Sequence, residues 1–288
     1  MPMIHHHISD LRAALQPYRA APRIALVPTM GNLHEGHLEL VNIAKQHADI
    51  VVVSIFVNPT QFGVGEDFDS YPRTLDEDVA KLATVGADYV FAPSIDEMYP
   101  VLPPPTTILA GTITEQLCGK TRPTHFDGVG IVVSKLFNIV QPNVAVFGQK
   151  DYQQLAIIKQ LVRDLSYSIE IIGAPIVRAA DGLALSSRNQ YLSESERQIA
   201  PILQQELQYL AKQITDKQQP LDVLLTAARE RITSAGFIID YLEIKTAELT
   251  AVDDDSVNEH QELVVLVAAG LGRARLLDNQ LVTINKSL

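Results

Sequence analysis

His34 and His37 lie three positions apart in the run Pro28-Thr29-Met30-Gly31-Asn32-Leu33-His34-Glu35-Gly36-His37. At that spacing two imidazoles at a helix start can face one ligand. Each can donate a hydrogen bond to a phosphate oxygen whether neutral or protonated. Such a pair suits a site where negative charge builds up, as in phosphoryl or nucleotidyl transfer. Alone, an H-x-x-H pair reads best as a surface turn. Here the apolar run Ile24-Ala25-Leu26-Val27 comes before it and an amphipathic segment begins near His37. That is a strand, a glycine-bearing turn and a helix start, where free backbone N–H groups and the helix dipole attract anionic oxygens. Gly31 and Gly36 let a ligand come close to the backbone.

The elements that must position these residues alternate between strand and helix patterns, as in a parallel sheet covered on both faces. The expected fold class is α/β, a Rossmann-like doubly wound sheet. A helix is expected from about residue 37 to 48, then a buried central strand over 50–57 that ends at Asn58-Pro59. Thr74 with Glu77 reads as a capping box for a helix stopping near Gly86, and Tyr89-Val90-Phe91 as a strand. The proline-rich stretch Pro93 to Pro105 is expected on the surface or folded over a site edge rather than in a regular interior element. Next come an apolar helix over 128–141, a strand over 143–147, a helix over 151–165 and a strand over 169–172. Gly148, Gln149, Lys150 and Asp151 thus sit where a strand hands over to a helix, at the sheet edge where such folds bind ligands. The pattern changes near Pro175. We expect residues 1–174 to form the nucleotide- and substrate-binding domain and 175–288 a smaller α+β domain covering the site. In the latter, Ser193 and Glu196 form a second capping box with a helix to about Thr215, Pro220 opens another to Ala235, and strands follow at 237–244 and 263–268.

Composition narrows the function. With 288 residues, 47% of them hydrophobic, the chain can bury a substantial core. A formal net charge of −11 and no basic block oppose nucleic-acid binding. No apolar stretch approaches the roughly 20 residues that span a bilayer, and the first residues lack a signal-peptide pattern, so no membrane role and a cytoplasmic location are expected. The single cysteine, Cys118, fits a reducing compartment and reads as structural. His5-His6-His7 reads as a solvated segment, since adjacent residues do not share a face and nothing is placed to complete a metal site.

The H-x-G-H signature is that of the nucleotidyltransferase superfamily, and the full run from Pro28 to His37 resembles the pantothenate synthetase family. Three further blocks carry the same resemblance: Asn58-Pro59-Thr60-Gln61-Phe62-Gly63, Phe147-Gly148-Gln149-Lys150-Asp151-Tyr152-Gln153-Gln154 and Leu185-Ser186-Ser187-Arg188-Asn189. It extends to Leu271-Gly272-Arg273, nearly the whole chain. It implies that ATP activates the carboxylate of pantoate as a pantoyl-adenylate, with loss of pyrophosphate, and that β-alanine then displaces AMP. It further implies His34, His37, Lys150 and Arg188 as catalytic groups. Met30 to His37, Gly148 to Asp151, Val177 and Leu185 to Arg188 would bind ATP. Gln61 would serve pantoate and β-alanine, and Gln154 pantoate, because an amide can donate to a carboxylate and accept from a hydroxyl. Mg²⁺ is expected to arrive with ATP; Glu77, Asp78 and Asp151 are candidates to touch it, with no protein ligand assigned. Arg122 and His125 match another family block, for closure over the nucleotide or for pyrophosphate. A homodimer is implied. Leu185 stands where relatives usually carry Met, a swap that keeps apolar volume.

Overall fold

The computed structural model describes residues 1–63, 65–216, 219–254, 257 and 262–284. In chain order the elements are β1 (Met3–His5), α1 (Ile8–Leu15), β2 (Ile24–Thr29), α2 (Glu35–His47), β3 (Ile50–Ile55), α3 (Leu75–Thr84), β4 (Tyr89–Phe91), α4 (Ile95–Met98), α5 (Leu117–Thr121), α6 (His125–Val140), β5 (Val144–Gly148), α7 (Tyr152–Asp164) and β6 (Glu170–Ala174). They continue as α8 (Glu194–Ile199), α9 (Ile202–Thr215), α10 (Leu221–Ser234), β7 (Ile238–Thr246), β8 (Glu262–Leu271) and β9 (Ala274–Thr283). The chain divides into two compact units, Met1–Gln149 with Gln153–Pro175, and Lys150–Tyr152 with Ile176–Leu288.

The first unit is Rossmann-like. Its six parallel strands run in the order β1-β4-β3-β2-β5-β6. The apolar runs of β2 and β3 are buried on both faces, as a central parallel strand requires. Ala25, Val27, Val51, Val53 and Val146 pack with Leu38 and Val41 of α2 and Val79 and Leu82 of α3. The alternate residues Leu26, Val52 and Phe147 are also buried, and Phe137 of α6 meets Phe147 with ring centroids 6.5 Å apart. Strand order reverses between β2 and β5, where ligands bind in such sheets. The β2–β5 ladder consists of Ala25 with Val144 and Leu26 with Ala145. Pro28 lies past the last pair and has no N–H to give, so its place in a central strand marks where the two strands part.

The second unit holds the antiparallel sheet β7-β8-β9. One face of it, including Leu263, Val265, Val267 and Leu276, packs on Leu203, Leu207 and Leu210 of α9 and Leu224 and Ile232 of α10. Arg178 grips the buried Asp278 carboxylate with its two terminal guanidinium nitrogens, at 2.7 and 2.8 Å.

Several local expectations change. Thr74 makes no side-chain cap; its hydroxyl goes to Asp78 at 3.1 Å, so the Thr74–Glu77 capping box does not form. The Ser193–Glu196 box does form, but its helix stops at Ile199 and a new one starts after Pro201, which cannot donate the bond a continuous helix needs. The proline-rich stretch contains α4, capped by Ser94, and buries Met98 and Tyr99. The three N-terminal histidines are tethered rather than solvated alone. His5 lies in β1 with its ring 5.8 Å from that of Tyr89, His6 Nδ1 is 2.6 Å from the Ala92 carbonyl, and His7 Nδ1 is 3.0 Å from Glu97 Oε2. The Glu97 partner holds the His7 pKa above its usual value.

Candidate active site

The turn after β2 is bent by two successive residues in the left-handed region, Gly31 at φ 85° and Asn32 at φ 51°. A side chain at residue 31 would be strained at this φ, and its Cβ would lie 3.1 Å from both Asp78 Oδ2 and Ile55 Cγ2, which would have to give way. The N–H groups of this turn are engaged within the protein. Gly31 N–H points to the Thr29 hydroxyl at 3.3 Å, Asn32 and Leu33 donate to the Asp78 carboxylate at 2.9 and 2.7 Å, and Gly36 donates to His34 Nδ1 at 3.1 Å. His34 N–H in turn donates to His37 Nδ1 at 3.3 Å. The sequence pointed to free backbone donors at this helix start; the N–H groups of Gly31, Asn32, Leu33 and Gly36 instead have partners within the protein.

The two imidazoles form a reciprocal capping box at the start of α2, a place usually taken by Ser or Thr with Glu. Their ring centroids are 4.1 Å apart. Because each Nδ1 accepts a backbone N–H, each ring's remaining proton sits on Nε2. Capping therefore fixes both tautomers and gives each ring an Nε2–H donor without requiring a positive charge.

Gln61 lies in the short turn after β3 and is 9% exposed. Its amide Nε2–H points to the Met30 sulfur at 3.0 Å, and its Oε1 accepts from Asn58 Nδ2 at 3.0 Å. Asn58, fully buried, is the hub: it also donates to the Gly128 carbonyl at 3.0 Å and accepts from the Tyr99 hydroxyl at 2.9 Å. Burial raises the Tyr99 pKa above its usual value. Arg122 and His125 hold the backbone of Gln61: His125 Nδ1 is 2.7 Å from the Gln61 carbonyl, and Arg122 Nη1 is 3.1 Å from His125 Nε2. Arg122 also pairs with Glu66 at 2.7 Å and holds that carboxyl below its usual pKa. This network ties Arg122 and His125 to the backbone of the glutamine turn. Gln154 sits half-buried on the first turn of α7. Its neighbour Gln153 is buried and donates to the carbonyls of Ile113 and Gln116, both at 2.8 Å.

In the second unit, Lys150 Nζ lies 3.1 Å from Asp151 Oδ2, and the Lys150 carbonyl accepts from Asn279 Nδ2 at 3.0 Å. Val177 and Leu185 are the ends of a hairpin joined by Leu185 N–H to the Val177 carbonyl at 2.9 Å. Ser186 then caps a 3₁₀ turn, Ser187–Tyr191, by accepting from Arg188 N–H at 3.2 Å, and Asn189 Nδ2 ties that turn to the Ala184 carbonyl at 2.9 Å. An accepting hydroxyl still has its own proton to donate, so the cap and a phosphate contact by Ser186 are compatible.

The acidic candidates divide by environment. Glu77 is exposed on α3, while Asp78 is fully buried with its oxygens engaged by two N–H groups and a hydroxyl. Among the described residues no group of three or more His, Cys, Asp or Glu could hold a metal ion.

A family model described as pantoate-beta-alanine ligase matches residues 3–281. The chain belongs to this ligase family. It is 89% identical over 286 residues to the pantothenate synthetase of Psychrobacter cryohalolentis, covering 99% of this chain and all of the relative. It is 56% identical to that of Acinetobacter baylyi, covering 94% and 95% of the two chains. Among solved structures, pantothenate synthetase from Thermus thermophilus superposes with a TM-score of 0.88 at 42% identity, covering 96% and 98%. A pantoate-beta-alanine ligase from Francisella tularensis, complexed with beta-gamma ATP and beta-alanine, gives 0.81 at 34% identity, covering 98% of each chain. The chain is thus an enzyme, a ligase of pantothenate synthesis with the family's fold.

Asn58, Gly128 and Lys81 were not singled out for chemistry by the sequence reading. Gly128 had a legible signal, a glycine inside an apolar helical pattern, where it costs about 1 kcal/mol against alanine.

Proposed function

We propose that the chain joins pantoate to β-alanine in two steps at the expense of ATP. A pantoate carboxylate oxygen attacks the α-phosphorus of ATP, and pyrophosphate leaves with the cleaved P–O electron pair, giving pantoyl-adenylate. The amine of β-alanine then attacks the acyl carbon, AMP departs, and the amine's proton is lost as the amide forms. The observation that most supports this reading is the capped imidazole pair, two preset Nε2–H donors in a chain that matches the ligase family over residues 3–281. Donors fixed before the reaction need no reorganisation as charge spreads over the α-phosphate.

The other residues take roles that fit their chemistry. Lys150 follows a phosphate as a compact charge, and Arg188 offers a planar fork for two oxygens, with the Ser186 and Ser187 hydroxyls beside it. Gln61, with Gln154, receives pantoate; Gln61 also serves β-alanine. Met30, Gly31, Asn32, Leu33, Glu35, Gly36, Gly148, Gln149, Asp151, Val177 and Leu185 complete the nucleotide contacts. Mg²⁺ enters with the triphosphate. The engaged, buried Asp78 does not fit as its ligand, and the ion is carried by the phosphates. The enzyme works as a homodimer in the cytoplasm, with no nucleic-acid or membrane partner; among the described residues, no helix is long and apolar enough to cross a membrane.

The direct test supplies ATP, Mg²⁺ and pantoate without β-alanine. One pyrophosphate per enzyme and a held adenylate are expected; pyrophosphate appearing only with β-alanine would reject the adenylate. Gly128→Ala probes the pantoate side. A Cβ at residue 128 would lie 2.1 Å from the Thr60 carbonyl oxygen and 2.7 Å from the Gln61 N, backbone atoms that cannot swing aside. The Gln61 turn must therefore shift, and we expect the KM for pantoate to rise by about tenfold or more while that for ATP stays near its starting value. Initial rates against each substrate decide this.

A further inference from the structure

We propose that Asp78 and Lys81, three residues apart on α3, are positioning residues that clamp the Asn32–Leu33 segment and so aim the His34–His37 pair. The inference deepens the reaction proposed above and rests on it. Asp78 is fully buried, and its carboxylate accepts from the peptide N–H groups of Asn32 and Leu33 at 2.9 and 2.7 Å. Lys81 Nζ donates to the Leu33 carbonyl at 2.8 Å. One helix face thus holds the donors of two successive residues and the acceptor of the second, as i and i+3 side chains can. The segment needs such restraint. Gly31 and Asn32 both have positive φ, a conformation an open chain leaves readily, and it leads directly into the residue that caps α2.

Buried carboxylates persist when hydrogen-bonded or paired, and charge-assisted bonds to N–H are the strong kind. Glu77, the adjacent carboxylate, is exposed and has no part in the clamp. Asp78 therefore acts through His34 and His37 and touches no substrate. Its neutral isostere would turn an NH₂ group toward one of the two peptide donors, opposing two donors where there had been a bond.

The test measures pyrophosphate release from ATP and pantoate, normalised to active sites counted from the single-turnover burst, in the wild type, Asp78→Asn and Lys81→Met. A misaimed donor pair lowers the rate of adenylation in folded, substrate-binding enzyme. Asp78→Asn should reduce the single-turnover rate constant of pyrophosphate release about 100-fold, the scale of an ångström-sized misplacement, with the half-saturating pantoate concentration nearly unchanged. Lys81→Met, which keeps the alkyl stem, should reduce it about tenfold, the scale of one charge-assisted hydrogen bond. If Asp78→Asn does not fold, Lys81→Met decides. A wild-type single-turnover rate constant per active site in the folded variants would overturn the proposal, and so would restoration of Asp78→Asn by raised Mg²⁺, which would make Asp78 a metal ligand. A wild-type enzyme releasing no pyrophosphate from these two substrates would instead reject the underlying reaction.

Discussion

His37→Ala should release pyrophosphate from ATP and pantoate about 100- to 1000-fold more slowly than the wild type, the loss typical of removing one preset donor from a developing oxyanion. The imidazole also caps α2 by accepting the His34 N–H at 3.3 Å, so the variant loses a structural bond as well. That loss is on the order of 1 kcal/mol, the usual worth of a helix cap, against about 5–15 kcal/mol for a whole protein. The fold should survive. A normal melting transition beside slowed chemistry would separate the two effects, and pyrophosphate release at the wild-type rate would reject the assigned role. His37→Asn adds a useful contrast, because its amide can keep the cap without placing an Nε2–H donor.

Lys150→Ala is the second large effect, again expected at about 100-fold or more in adenylation. The ammonium is paired with Asp151, whose side chain is 47% exposed, at 3.1 Å. Because Asp151 stays largely in water, the pair is worth about 1 kcal/mol, so releasing the half-buried Lys150 toward a polyanion costs little. For the same reason the substitution should hardly change stability. Lys150→Arg is expected to recover only part of the rate, since a planar fork cannot follow a moving phosphate as a compact ammonium can. Single-turnover formation of the adenylate measures both variants; wild-type turnover in Lys150→Ala would remove the residue from the mechanism.

The strands β2 to β6 were legible in the sequence because parallel strands buried on both faces read as short apolar runs between amphipathic helices. The edge strand β1 was not, since Met3-Ile4-His5 has no run of its own and becomes a strand by pairing with Tyr89–Phe91. β9 was also missed. Its polar Asp278, Asn279 and Gln280 interrupt the apolar pattern, and Asp278 is buried because Arg178 neutralises it from a hundred residues away in sequence. At the candidate site, the chemical residue types could be named from spacing, but their supports could not. That His34 and His37 would cap their own helix, and that Asp78 would bind peptide N–H groups rather than a cation, depends on partners the chain brings together only on folding. The Thr74–Glu77 pattern failed for the same reason: Asp78, one residue further on, took the threonine hydroxyl.

The spacing of these parts along the polypeptide has a consequence for synthesis on the ribosome. Both imidazoles have been added by residue 37, the carboxylate that bonds to their turn follows at Asp78, and β2, already flanked by β3, gains its second neighbour only with Val144–Gly148. Until then the growing chain carries its signature motif next to an unclosed β2 edge, with the long-range pairing still to be made. Interrupted translation products would thus display the hallmark of the enzyme while lacking the architecture that makes it reactive.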